Sequence, residues 1–222
     1  GYDATRPLKI GRFTISDFHP ERRWLTVPEI FAVSSNIGAA RMAREVGGQA
    51  QKQFLSRLGL LSPAAIELPE VGEPLFPSPW RDINTATISF GHGVAVSPLQ
   101  FASAVGAVVN GGILRAPTLL KQDGPRIAQG ERVMSEETSD EMRRLLRYVV
   151  TNGTGKQAAA FAPEGQRIGA LGHDARRPAA GFVVLQRHRE VGRVHDDDVG
   201  LRHRGQHALA GSLAHHGLHL AL

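Results

Sequence analysis

The sequence predicts a helix-rich α/β (α+β) fold, because helical hydrophobic spacing is more frequent along the chain than strand-like alternation. Apolar and polar residues alternate from Leu8 to Ile15, which indicates a short strand or extended arm. The 222 residues suffice for one large domain or for part of a larger one. The predicted helices cover residues 28–33, 37–46, 51–58, 98–109 and 135–150.

The first two predicted helices meet near Ser34. Pro28 suits a first helical turn, where its missing N–H is no loss. Serine and asparagine side chains compete for nearby backbone groups and favour caps, so we expect the first helix to end here and a second to begin at Ile37. Ser34 and Asn36 would then lie at a helix N-terminus, where N–H groups and the helix dipole favour anions. From these residues alone, an ordinary capped helix start is the simpler interpretation.

The middle of the chain contains one more helix and then an irregular stretch. Phe54, Leu55 and Leu58 are at helical spacing, and Gly59 is placed to end that helix. Residues 62–79 are rich in proline and glutamate, which is typical of a surface loop or hairpin. This region carries no candidate chemistry.

A Gly-His-Gly turn precedes the fourth predicted helix. Gly91 and Gly93 flank His92, and Ser97 with Pro98 then has the pattern of an N-cap followed by a first helical residue. A histidine between glycines could act as a general base or bind a metal ion. Because no second ligand follows at helical spacing, we expect no metal site here.

The last predicted helix begins at a Ser135 cap and has acidic residues in its first turn. Its expected buried stripe consists of Met142, Leu145, Leu146, Val149 and Val150. The following Gly153-Thr154-Gly155-Lys156 resembles part of a phosphate-binding loop, but that pattern needs an earlier glycine and a preceding strand. We therefore expect a structural turn.

Composition narrows the possible functions. The formal net charge is +5 and the chain has no cysteine, so disulfides and thiolate metal sites are excluded. Lysine and arginine are scattered rather than interleaved with aromatic residues, so a nucleic-acid partner is not expected. The chain starts without methionine and has no apolar run of membrane-spanning length, so we expect a fragment, or a soluble piece of a protein anchored elsewhere.

A specific resemblance is carried by the run Val-Pro-Glu-Ile-Phe-Ala-Val-Ser-Ser-Asn-Ile-Gly-Ala-Ala-Arg-Met-Ala at residues 27–43. It closely resembles the Ser-x-Asn region of class B penicillin-binding proteins, the D,D-transpeptidases that cross-link peptidoglycan, and is most similar to the division-specific branch of alpha-proteobacterial type. In that family Ser-x-x-Lys, Ser-x-Asn and Lys-(Ser/Thr)-Gly meet in one cleft. Only the second motif is present here, so the acylated serine is expected upstream of Gly1.

The resemblance covers about residues 1–169 and implies the penicillin-binding protein/serine β-lactamase-like transpeptidase fold. The fold would be incomplete, a helix-rich part with a truncated central antiparallel sheet. The Val-Thr-x-Gly-Thr-Gly turn would lead into the strand that carries Lys-Thr-Gly.

Roles for the candidate residues come with the resemblance. Ser34 would relay a proton between the upstream lysine and the leaving nitrogen, and Asn36 would hold that lysine and the substrate amide. Ser35 is expected to face away from the site. The turn at residues 91–93 would border the cleft and shape it. With one motif of three, the chain is not expected to form an acyl-enzyme by itself.

The resemblance implies no cofactor and no metal ion. The partners it implies are peptidoglycan stem peptides, β-lactams in the intact protein and membrane proteins of the divisome. It also implies a bacterial inner-membrane location, with the catalytic domain facing the periplasm and the anchor outside this chain.

The composition changes abruptly after Gly169. Eight of the ten histidines lie beyond Ile168, while lysine, isoleucine, threonine, asparagine, methionine and tyrosine disappear. The family pattern calls for Gly-Lys-Thr-Gly-Thr at this point, where the chain reads Ala-Leu-Gly-His-Asp-Ala. One hypothesis is that residues 170–222 are read out of frame and are disordered. The alternative is a natural histidine-rich tail that binds metal, although its ligand spacing is irregular.

Two other classes of function remain open. A catalytically silent module that binds peptidoglycan or division proteins would explain the missing motifs without any sequence error. A basic polyanion-binding protein would instead show steep salt dependence of its binding to DNA.

Overall fold

The computed structural model describes residues 1–121 and 130–161. Within these ranges there are six strands, β1 (Tyr2–Asp3), β2 (Leu8–Ile10), β3 (Phe13–Ile15), β4 (Trp24–Leu25), β5 (Ile113–Leu114) and β6 (Glu131–Arg132). The helices are α1 (Val27–Val33), α2 (Asn36–Val46), α3 (Gly48–Arg57), α4 (Asp82–Ile88), α5 (Pro98–Val109) and α6 (Glu136–Asn152), followed by a 3-10 helix, Thr154–Phe161. The helix-rich α+β class is therefore confirmed.

The strands of residues 1–121 and 130–161 form three separate two-stranded antiparallel sheets, β1 with β4, β2 with β3, and β5 with β6. The predicted single strand from Leu8 to Ile15 is wrong, because the chain reverses at Gly11 and forms the β2–β3 hairpin. Leu8 pairs with Ile15 and Ile10 pairs with Phe13, so the apolar residues of the two strands lie on the same face of the hairpin. The apolar alternation is interrupted between Ile10 and Phe13, which is where the chain reverses.

The helical predictions are correct for α1, α2, α5 and α6, and two details differ near α3. This helix begins at Gly48, three residues before the predicted start. A Cβ on Gly48 would lie 2.5 Å from Thr85 Oγ1 and 3.2 Å from Trp80 Cδ1, so packing against α4 needs glycine there. The second difference is α4 itself, which was not among the predicted helices. It buries Thr85 and Ala86 although its short sequence lacks a helical apolar stripe.

Two apolar clusters form the core of the described part of the chain. The first surrounds α2 and contains Ala4, Leu8, Ile10, Ile15, Leu25, Ile30, Ile37, Ala40 and Ala86. The second joins α3 to α5 and contains Leu55, Leu58, Leu60, Ala104, Ala107 and Val133. The α1–α2 junction lies at the edge of the first cluster, because Ile30 and Ile37 flank it and are almost completely buried.

The predicted buried stripe of α6 is wrong. Leu146 is 37% exposed and the other members are only half-buried. The fully buried residue of α6 is Ser139, whose Oγ donates to the Val108 carbonyl at 2.6 Å and accepts from Gly111 N–H at 3.0 Å. The start of α6 is therefore fixed to the end of α5 by hydrogen bonds.

The first turn of α1 is organised by one carboxylate. Glu29 accepts hydrogen bonds from the Thr26 backbone N–H and hydroxyl, each at 2.8 Å, and from Arg23 Nη1 at 2.8 Å. These donors, the Thr26 N–H foremost, lower the pKa of Glu29 from the usual 4.5 to about 2. All three stabilise the charged form.

We expect the contribution of Glu29 to stability to depend on pH. Because its pKa is lower in the folded chain, the contribution is present above pH 4.5 and is lost as the pH falls towards 2. The measurement is the difference in free energy of unfolding between the wild type and Glu29→Gln across this range. Glu73→Gln, in the loop before α4, is the control. A difference that stays constant from pH 6 to 2 would contradict the prediction.

Candidate functional site

The backbone changes conformation at each residue of the α1–α2 junction. Ser34 is the C-cap of α1 and is left-handed, with φ 54° and ψ 51°. Ser35 is extended, with φ −75° and ψ 112°, and is the N-cap of α2. Asn36 is the first residue of α2. The predicted break is confirmed, and the three side chains consequently meet different parts of the protein.

Ser35 is the structural centre of the junction and is 2% exposed. Its Oγ accepts from Gly38 N–H at 3.0 Å and donates to Asp17 Oδ2 at 2.8 Å. The other oxygen of Asp17 accepts from Ile37 N–H at 2.9 Å. Ser35 therefore faces into the fold and caps α2. Asp17 accepts hydrogen bonds from both the capping hydroxyl and the first turn of α2.

Ser34 and Asn36 are each half-buried. Their side chains carry the hydrogen-bonding groups of the junction that solvent reaches. Ser34 Oγ lies 3.3 Å from Thr154 Oγ1. Asn36 Nδ2 donates to the Ser16 carbonyl at 3.1 Å. A hydroxyl can accept one proton and donate another, and an amide oxygen can accept a hydrogen bond from a cation or an amide. These two side chains are thus suited to proton relay and to substrate alignment.

The end of α6 reaches the junction through a glycine. A Cβ on Gly153 would lie 2.7 Å from Ala32 Cα and 2.8 Å from its carbonyl carbon, and closer still to its oxygen. Only glycine allows this approach of α6 to α1. The approach places Thr154, the next residue, beside Ser34. Gly153 follows α6, and the next three residues of Gly-Thr-Gly-Lys begin the 3-10 helix rather than a turn.

Residues 91–93 form a separate turn after α4. Gly91 and Gly93 have φ values of 90° and 108°, which favour glycine. The His92 N–H donates to the Thr87 carbonyl at 3.0 Å, and the His92 side chain is exposed. These backbone contacts join the turn to α4 rather than to Ser34 or Asn36, so its role in shaping a cleft stays a prediction.

The residues that sequence reasoning missed are Asp17 and Thr154. Asp17 lies 18 positions before Ser35, and Thr154 lies 120 positions after Ser34. Local spacing carries no signal for contacts of this kind. The expected Lys-Thr-Gly strand, the out-of-frame hypothesis and the metal-binding tail all concern residues outside the described ranges.

Neither a metal cluster nor a membrane-spanning helix is found where the structure describes the chain. Residues 1–121 and 130–161 bring together no group of three histidine, aspartate or glutamate side chains that could hold a metal ion. None of the helices in these ranges combines the length and hydropathy needed to cross a bilayer.

Replacing Asp17 with alanine is expected to lower the free energy of unfolding by about 2 kcal/mol, because Ser35 Oγ and Ile37 N–H lose a charged acceptor. Urea unfolding of the two proteins measures the change. Asp82→Ala is the control, since Asp82 makes an exposed ion pair with Arg44 and its loss should cost less than about 1 kcal/mol. Equal effects of the two substitutions would contradict the assigned role of Asp17.

The chain is similar in sequence to a family of known proteins. The family described as "Penicillin binding protein transpeptidase domain" matches residues 2–170. The probable peptidoglycan D,D-transpeptidase FtsI of Caulobacter vibrioides is 41% identical over 168 residues, which are 76% of this chain and 28% of that protein. The peptidoglycan D,D-transpeptidase FtsI of Escherichia coli K12 is 33% identical over 166 residues, which are 74% of this chain and 27% of that protein. The chain thus spans less than a third of the length of these relatives.

Solved structures show the same fold. The transpeptidase domain of penicillin-binding protein 3 from Burkholderia pseudomallei aligns with a TM-score of 0.65 at 30% identity, covering 71% of this chain and 48% of that one. A structure described as a peptidoglycan glycosyltransferase from Burkholderia ambifaria aligns with the same score and identity over 72% of this chain and 50% of its own. The expected transpeptidase fold and the resemblance are confirmed, and the chain belongs to the penicillin-binding protein transpeptidase domain family.

Proposed function

We propose that this chain supplies the Ser-x-Asn part of the catalytic cleft of a peptidoglycan D,D-transpeptidase that acts in cell-wall synthesis and division. The observation that carries the proposal is the α1–α2 junction, where the Ser34 hydroxyl and the Asn36 amide flank a buried cap in a member of this family. The names of the Caulobacter and Escherichia relatives support the choice of reaction and substrate.

In the proposed reaction, a serine of a Ser-x-x-Lys motif attacks the carbonyl before a terminal D-Ala, or a β-lactam, and forms an acyl-enzyme. An amine of a neighbouring stem peptide then resolves the acyl-enzyme. Ser34 accepts a proton from the lysine of that motif and passes its own proton to the leaving nitrogen. Asn36 aligns the lysine and the substrate amide by hydrogen bonds. Because these 222 residues contain no Ser-x-x-Lys, the chain alone forms no acyl-enzyme.

The proposed setting follows from the same family. The substrate is a peptidoglycan stem peptide, β-lactams compete for the cleft of the intact protein, and divisome membrane proteins are its partners. The working location is the inner membrane, with this part facing the periplasm.

The proposed domain organisation has a partial transpeptidase domain over residues 1–169 and an aberrant tail over residues 170–222. The family match ends at residue 170, which supports a boundary at that point. Loss of six common residue types beyond Gly169 supports an altered reading frame. Resequencing the gene around codon 170 in independent isolates tests this, and an intact frame in all of them would overturn it.

The experiment that tests the function begins with the genomic locus on both sides of the sequence. The complete gene product, meaning the full protein that the locus encodes, is then labelled with fluorescent penicillin beside the 222-residue chain. We expect covalent labelling of the complete gene product, blocked by excess unlabelled penicillin, and none of the chain alone. A locus without Ser-x-x-Lys, or a complete gene product that does not label, would overturn the proposal. Saturable muropeptide binding without labelling would favour a silent binding module.

A further inference from the structure

Thr154 is the one residue of the Gly-Thr-Gly-Lys segment whose side chain reaches the candidate site. Its Oγ1 lies 3.3 Å from Ser34 Oγ, and the two residues are 120 positions apart. The sequence pattern indicates only a turn here. Because the Ser34 hydroxyl is the proposed proton relay, this contact connects Thr154 to the proposed proton transfer.

The backbone on both sides of Thr154 keeps this contact in place. Gly153 approaches Ala32 so closely that no Cβ fits between them. Gly155 is buried, and a Cβ there would lie 3.2 Å from both Val149 Cγ1 and the Val149 carbonyl oxygen. The position of Thr154 is therefore set by the packing of its neighbours, although its own side chain is exposed.

We propose that Thr154 is a positioning residue that orients the Ser34 hydroxyl for proton transfer, an inference that rests on the proposed function. A serine oxygen has one proton and two lone pairs. When Thr154 donates to one lone pair, the other remains to accept the proton of the lysine, and the proton of Ser34 is directed to the leaving nitrogen. Thr154 itself neither gains nor loses a proton in this step.

The length of the contact agrees with this role. Hydroxyl pairs usually lie 2.7–2.8 Å apart, so 3.3 Å is a long hydrogen bond. Catalytic hydrogen bonds are often long before the substrate binds and shorten in the complex. The expected effect of removing the Thr154 hydroxyl is correspondingly moderate.

The test compares acylation rates of the complete gene product by fluorescent penicillin. Thr154→Val removes the hydroxyl at nearly constant volume and should lower the rate about three- to ten-fold, as expected for one neutral hydrogen bond. Thr154→Ser keeps the hydroxyl and should restore the rate to within about two-fold. Thr151→Val is the matched control, because among the described residues the Thr151 hydroxyl bonds only within the end of α6. Its rate should equal that of the wild type.

A double-mutant cycle separates positioning from general structural support. If Thr154 acts through Ser34, Thr154→Val has no further effect in a Ser34→Ala background. An equal loss in both backgrounds, or a Thr154→Val rate equal to that of Thr151→Val, would overturn the inference while leaving the proposed function intact.

Failure of the proposed function gives a different result, because the wild-type complete gene product would not label at all. The proton-transfer role then fails with the proposed function, and the Ser34–Thr154 contact is tested separately on the 222-residue chain by the backbone amide resonances of Ser34 and Ser35. Thr154→Val should shift both resonances, and Thr154→Ser and Thr151→Val should leave them close to the wild type. Unchanged resonances in Thr154→Val would overturn the assigned contact.

Discussion

Replacing Ser34 with alanine is expected to lower the acylation rate of the complete gene product by about a hundred-fold or more, the usual effect of losing a group that transfers a proton. The neighbouring serine of the junction cannot replace it, since the Oγ of Ser35 is buried and bonded to Asp17 and Gly38. Pre-steady-state labelling with fluorescent penicillin measures the rate.

Two further variants identify the cause of that loss. Ser103→Ala is the matched control, because the one partner of the Ser103 hydroxyl in the described part of the chain is the Leu99 carbonyl within α5. Ser34→Gly also removes the hydroxyl but suits the left-handed backbone, so it should be about 1 kcal/mol more stable than Ser34→Ala. A Ser34→Gly protein that is stable yet slow would assign the loss to the hydroxyl, whereas a normal rate would refute the relay role.

Replacing Gly153 with valine is expected to lower the free energy of unfolding by about 3 kcal/mol, at the upper end of the range for overpacking. The added side chain would meet backbone atoms of Ala32 in α1, and backbone cannot rotate away as a flexible side chain can. Separation of α1 from α6 would also move Thr154 from Ser34. Urea unfolding measures the change in stability.

A second glycine provides the control for this experiment. Gly106 lies inside α5, and a Cβ there would meet no atom of the other described residues within 4 Å, apart from the backbone of its own helix. Gly106→Ala should therefore raise the free energy of unfolding by about 0.5–1 kcal/mol, through helix propensity. The two substitutions have opposite expected signs. A Gly153→Val protein as stable as the wild type would show that α1 and α6 are not in the close contact described.

The α1–α2 break could be predicted from the sequence because its causes are local. Pro28 and Ser35 act within one turn of the residues that they start or cap. The hairpin at Gly11 was missed because the interruption of the apolar alternation between Ile10 and Phe13 was not treated as a turn. The early start of α3 was missed because the close approach of Gly48 to Thr85 overrides the poor helix propensity of glycine.

The candidate site was predicted less completely than the fold. Ser34 and Asn36 were found by resemblance, whereas the partners that hold them lie far away along the chain. Asp17 and Thr154 reach the junction only after the hairpin and α6 have packed on α1 and α2. No periodicity marks such contacts, so a single sequence cannot reveal them.

The spacing of the Ser-x-Asn motif is a consequence of how two helices end and begin. The chain passes from left-handed to extended to helical within three successive residues, so the junction contains no spare residue that could absorb a change in length. An extra glycine between Ser34 and Ser35 would leave both helices intact but displace Ser34 by up to about 3.8 Å, the distance between consecutive Cα atoms. The middle residue, Ser35, whose identity the motif does not specify, is the residue that keeps Ser34 and Asn36 at their fixed spacing.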